Sequence, residues 1–114
     1  MNTAEILDMA AVSEARAMFK AKFPTMCGYY LEDAEGYVNA IGSAIASGDV
    51  TAIVSPAHTL KSSSRQMGAA LVSGIAKEIE AAAREATNGM PWFSEQLARL
   101  EEAFSQTRVA FPTE

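Results

Sequence analysis

The chain has 114 residues, with nine Lys+Arg against fourteen Asp+Glu for a formal charge of -5, and 49% hydrophobic and 20% charged residues. At roughly 150 residues per domain, that length predicts one domain over residues 1–114 with about 6,000 Å² of folded surface, and the composition is that of a chain that folds unaided. The acidic balance has the wrong sign for gripping a phosphate backbone, so no nucleic-acid partner is expected. A single Cys27 and a single His58 supply neither a disulfide nor a spaced zinc-ligand set, so neither a metal nor a cofactor of its own is expected. No basic start leads into an apolar run, and no run approaches about 18 apolar residues. The expectation is a cytoplasmic protein with no membrane partner.

About a fifth of the chain is Ala; Leu, Met, Glu, Lys and Gln fill many other positions, and clean two-residue alternation is absent, which predicts an all-α chain. From Ala15, the residues Met18, Phe19, Phe23, Met26, Tyr30, Tyr37, Ile41 and Ile45 recur in three- and four-residue steps up to Ser47-Gly48-Asp49. Pro24 divides this stretch into a short first helix and a long second one. Ile53, Ala57, Leu60, Ser64 and Met67 then repeat at four-three-four-three and stop at Gly68, which predicts a buried seam on a third helix. Pro56 leaves two alternatives open, a kink there or a fresh start with Ser55 as N-cap. A fourth helix reads Val72, Ile75, Ile79, Ala82 and Ala86 before Asn88-Gly89, and a last one, entered at Pro91, reads Phe93, Leu97, Leu100, Phe104 and Phe111. Tyr29, Tyr30, Tyr37, Trp92 and the phenylalanines are expected at the core or its boundary. Short Gly-containing connections favour antiparallel neighbours, hence an up-down-up-down four-helix bundle with a short N-terminal helix capping one end. There is no internal repeat, low-complexity tract or linker.

His58 follows Ala57 of the buried seam, so at about 100° per residue it points away from the core. Its face continues with Lys61, Ser62 and Arg65. An accessible imidazole is a nucleophile that needs no separate base near neutral pH, and cations on its face suit a transferring group with several negative oxygens. Ser62, one turn on, leaves room for a partner's carboxylate to approach in line. Read without that context, Lys61 and Arg65 are a solvated helix face, and Glu80 and Arg84 form a helix-surface ion pair at four-residue spacing.

The run His58-Thr59-Leu60-Lys61-Ser62-Ser63-Ser64-Arg65-Gln66-Met67-Gly68-Ala69, with Ala46-Ser47-Gly48-Asp49 before it and Glu78-Ile79-Glu80 after it, resembles histidine-containing phosphotransfer (HPt) domains of two-component phosphorelays. The resemblance spans roughly residues 15 to 108. It implies a phosphorelay intermediate in which His58 accepts a phosphoryl group from one receiver aspartate and passes it to another, assisted by Lys61. Ser62 occupies a position where the family most often has Gly. Gly68 matches the turn between the third and fourth helices. Glu80 falls where some members place a Gln that hydrogen-bonds the imidazole, and Arg84 where some place a basic residue near the phosphoryl site. The implied partners are receiver domains of response regulators and of a hybrid histidine kinase, met by a monomer, with magnesium brought by the receiver. Nothing resembles a glycine-rich nucleotide site, so a kinase activity of its own is not expected.

Two other readings use the same residues. A bundle of this kind could dock receiver domains as an adaptor without exchanging phosphate. A fragment of a sensor kinase's dimeric histidine bundle is disfavoured, because that family follows its histidine with an acidic residue and has a proline five positions on, where this chain has Thr59 and Ser63.

Overall fold

The seam Ile53, Ala57, Leu60, Ser64 and Met67 is the complete buried set of one helix, Thr51–Met67. The computed structural model describes residues 3–112, so residues 1, 2, 113 and 114 of the expected domain lie outside the described residues. The elements are α1 (Thr3–Ile6), α2 (Met9–Phe19), a 3-10 turn (Lys20–Lys22), α3 (Phe23–Ala46), α4 (Thr51–Met67), α5 (Ala70–Glu85) and α6 (Met90–Ala110), with no strand among the described residues. Each of α3 to α6 packs on the next, and α6 returns to α3, closing a four-helix bundle; the chain as a whole exposes 6244 Å². The N-terminal cap is in two pieces: α1 lies against α5 and α6, and α2 against α3 and α4.

The break before α3 falls just ahead of Pro24, which sits in the first turn, where its missing N–H costs nothing. The chain bends at Lys20, whose φ is +53°. Gly48, at φ +70°, ends α3, and the Asp49 carboxylate accepts from the Ala52 N–H at 3.1 Å to start α4. Gly68, at φ +84°, ends α4, and its carbonyl accepts the Asp8 N–H at 2.8 Å. A Cβ at Gly68 would lie 2.6 Å from Val12 Cγ2 and 2.9 Å from the Asp8 carbonyl oxygen. The start of α2 is therefore pressed onto the turn between α4 and α5. At the next turn the left-handed residue is Ala86, at φ +55°, rather than Asn88 or Gly89.

α4 runs through Pro56 without restarting at Ser55. The carbonyl left without its N–H partner belongs to exposed Ala52, where water can take the bond. Most of the predicted core is buried, including Phe23, Tyr30, Ile41, Ile45, Val72, Ile75, Ile79, Phe93, Leu100, Phe104 and Phe111. Met18 and Tyr29 depart from expectation, being 73% and 55% exposed, and Ala86 is exposed at the end of α5. Inside the core, the Tyr30 hydroxyl and Ser64 Oγ are 2.6 Å apart, joining α3 to α4. Burial pushes the Tyr30 phenol up to about 12, the Ser64 hydrogen bond pulling the other way.

Candidate functional site

Directing Ala57 and Leu60 inward turns His58 outward, and its side chain is 53% exposed on α4. α4 and α5 are antiparallel neighbours joined through Gly68, which brings Glu80 of α5 opposite His58 across 22 positions of sequence. His58 Nδ1 lies 2.9 Å from Glu80 Oε2. An ionised carboxylate only accepts, so Nδ1 carries the proton and Nε2 holds the free lone pair. Lys61 Nζ is 2.6 Å from Oε1, meeting it by charge rather than through a well-angled hydrogen bond. Arg84 donates Nε to Oε2 at 2.8 Å, and its Nη2 lies 2.7 Å from the same oxygen as an ion pair. The predicted ion pair between Glu80 and Arg84 is therefore present, and the same carboxylate also holds the imidazole.

Glu80 is only 5% exposed, covered by its three partners, which reach into solvent themselves. Burial pushes its carboxyl up, but the Lys61 ammonium, then the Arg84 and His58 hydrogen bonds, outweigh this and hold it down at about 2. A carboxyl lowered on folding contributes stability that is present above its ordinary 4.5 and lost as pH falls towards about 2. The stability difference between wild type and Glu80→Gln is accordingly expected to shift by about 1–2 kcal/mol against wild type across that window, allowing for solvent screening of the partly exposed cations. Urea titrations at a series of acidic pH values check this; a constant difference would show that the cluster adds no acid-sensitive stability.

Ser62 and Arg65 are exposed, but they line a different feature, a groove of about 680 Å³ between α2 and α4 that also includes Asp8, Glu14 and Met18. Arg65 does not join the Glu80 cluster, because seven residues carry it about 10 Å along the helix axis from His58. The Ser73 hydroxyl donates to the Lys61 carbonyl at 2.9 Å, a further tie between α5 and the helix bearing His58 that sequence reading missed. A hydroxyl across the turn from the motif was the only signal for it. Among the described residues no helix is long and apolar enough to cross a membrane.

A half-exposed imidazole, fixed in one tautomer on the outside of a four-helix bundle, defines a histidine-presenting helical module. The chain belongs to the Hpt domain family, whose model matches residues 25–110. Among solved structures it is similar to histidine-containing phosphotransfer protein B (HptB) from Pseudomonas aeruginosa PAO1, with a TM-score of 0.90 and 26% identity over 96% of this chain and 93% of that one. No curated protein sequence gives a match. The protein is thus a phosphorelay Hpt phosphotransfer domain and not a kinase.

Proposed function

We propose that His58 relays a phosphoryl group between receiver-domain aspartates, one on a hybrid histidine kinase and one on a response regulator. The observation that carries this reading is the hydrogen bond of His58 Nδ1 to Glu80, which in the neutral ring puts the proton on Nδ1 and the Nε2 lone pair on the exposed edge of the bundle. In the forward step the Nε2 lone pair forms the N–P bond, and the O–P bond of the aspartyl phosphate breaks with its electron pair leaving on the carboxylate. Donation is the reverse on a second aspartate. Two cations and one carboxylate leave the surroundings of the ring at a net charge of +1, suited to the negative phosphoryl oxygens. The small Ser62 keeps the approach to the ring open, and magnesium arrives with the receiver.

The test is to mix the protein with a receiver domain carrying a radiolabelled aspartyl phosphate. Label should move to this chain in an acid-labile, base-stable form, and peptide mapping should place it on His58. Complex formation without label transfer would favour the adaptor reading. Lys61→Ala is expected to slow transfer by about tenfold or more while the bundle stays folded, because it removes positive charge from a partly exposed site. Stopped-time labelling checks this, and an unchanged rate would remove Lys61 from the mechanism.

A further inference from the structure

The partner of Nδ1 is a carboxylate, and its chemistry differs from that of a neutral amide in a way that matters once the ring is loaded. An amide can turn, accepting through its oxygen from a protonated nitrogen or donating its N–H to a bare one, whereas an ionised carboxylate can only accept. We propose that Glu80 is a positioning residue that keeps the proton on His58 Nδ1 through the whole phosphoryl cycle, so that the loaded histidine remains a competent donor well above neutral pH. This rests on the phosphoryl-relay reading above.

The balance of the step shows why the proton matters. When Nε2 binds phosphorus while Nδ1 keeps its hydrogen, the ring becomes a cation next to the Glu80 carboxylate. On donation the N–P electron pair returns to Nε2 and the ring departs as neutral imidazole. If Nδ1 had lost its proton to water, the leaving group would be an imidazolate anion, and donation would wait for reprotonation. The groups facing Glu80 are His58 and Lys61 from α4 and Arg84 from α5 itself, and neither α3 nor α6 places an ionic partner on it among the described residues. Lys61 and Arg84 help hold Glu80 ionised, which is consistent with its strongly lowered carboxyl, so its acceptor role persists from neutral pH upward.

The experiment loads the full chain with phosphoramidate and follows P–N cleavage, both spontaneous and to a receiver domain, by phosphorus NMR from about pH 6 to pH 9. Wild type should give a nearly flat profile. Relative to its own rate at about pH 6, Glu80→Gln should fall by about tenfold per pH unit above about pH 7, as expected when an unassisted imidazole nitrogen loses its proton. Parallel profiles would overturn the inference. A measurement on wild type alone covers the case in which the variant fails to fold: nitrogen NMR of the loaded ring should show Nδ1 protonated through about pH 9, and deprotonation with a midpoint near 7 would overturn it. Failure of phosphoramidate to label His58 in wild type would instead sink the relay reading, and this inference with it.

Discussion

Replacing His58 with glutamine is expected to abolish phosphoryl labelling while leaving helix content unchanged. Nε2 of His58 is the only imidazole nitrogen in the chain with a free lone pair at the surface, since there is one histidine and its other nitrogen is bound to Glu80. A glutamine amide has no comparable nucleophile, so the loss should be complete within detection. The ring is 53% exposed and borders the core without entering it, and the new amide N–H can still donate to Glu80, so stability should change by less than about 1 kcal/mol. Labelling from a phosphorylated receiver together with circular dichroism checks both halves. Acid-labile label on the variant would rule His58 out as acceptor.

The largest effect on stability is expected from Gly68→Ala. The substitution forces a side chain into left-handed backbone, which costs about 1–2 kcal/mol, and drives its Cβ to within 2.6 Å of Val12 Cγ2 and 2.9 Å of the Asp8 carbonyl oxygen. Val12 is buried, and the Asp8 N–H is itself bonded to Gly68, so the start of α2 must move off the turn. With overpacking of about 1–3 kcal/mol added, a loss of about 3 kcal/mol should appear in urea unfolding. A change under about 1 kcal/mol would mean that the N-terminal cap is not fastened at this turn. Phosphoryl acceptance measured well below the unfolding midpoint should survive, because His58 and Glu80 are held by α4 and α5 rather than by α2.

The sequence made α4 legible because a single uninterrupted helix has one phase, and its five-residue seam could be read off directly. Met18 fails for the opposite reason. Met18 falls in the same three- and four-residue steps as Phe23 to Ile45, but α2 ends at Phe19 and the helical phase restarts at Phe23. Residue type alone points Tyr29 to the core or its boundary, but two positions past buried Cys27 it lies about 200° round α3, opposite the face that buries Cys27, Tyr30, Leu31 and Ala34. The outward direction of His58 followed from its place beside Ala57. The four-residue spacing showed that Glu80 and Arg84 could pair, but not that both would close on His58 and Lys61, since that depends on how α4 and α5 align across the Gly68 turn. Arg65 shares the angular position of His58 on α4, but angle alone ignores distance along the axis. Pro56 stayed undecided because its penalty depends on whether the Ala52 carbonyl faces water, a property of the folded bundle.

The Tyr30 and Ser64 hydroxyls lie in an otherwise greasy seam between α3 and α4. Apolar side chains tolerate sliding of one helix past another, whereas two hydroxyls 2.6 Å apart in a dry interior do not, because a shift of one turn would strand both. The pair therefore acts as a latch that sets where along α3 the helix α4 comes to rest. The bearing of the imidazole is in this sense decided by a tyrosine 28 residues upstream of it, in a part of the molecule that never meets the phosphoryl group.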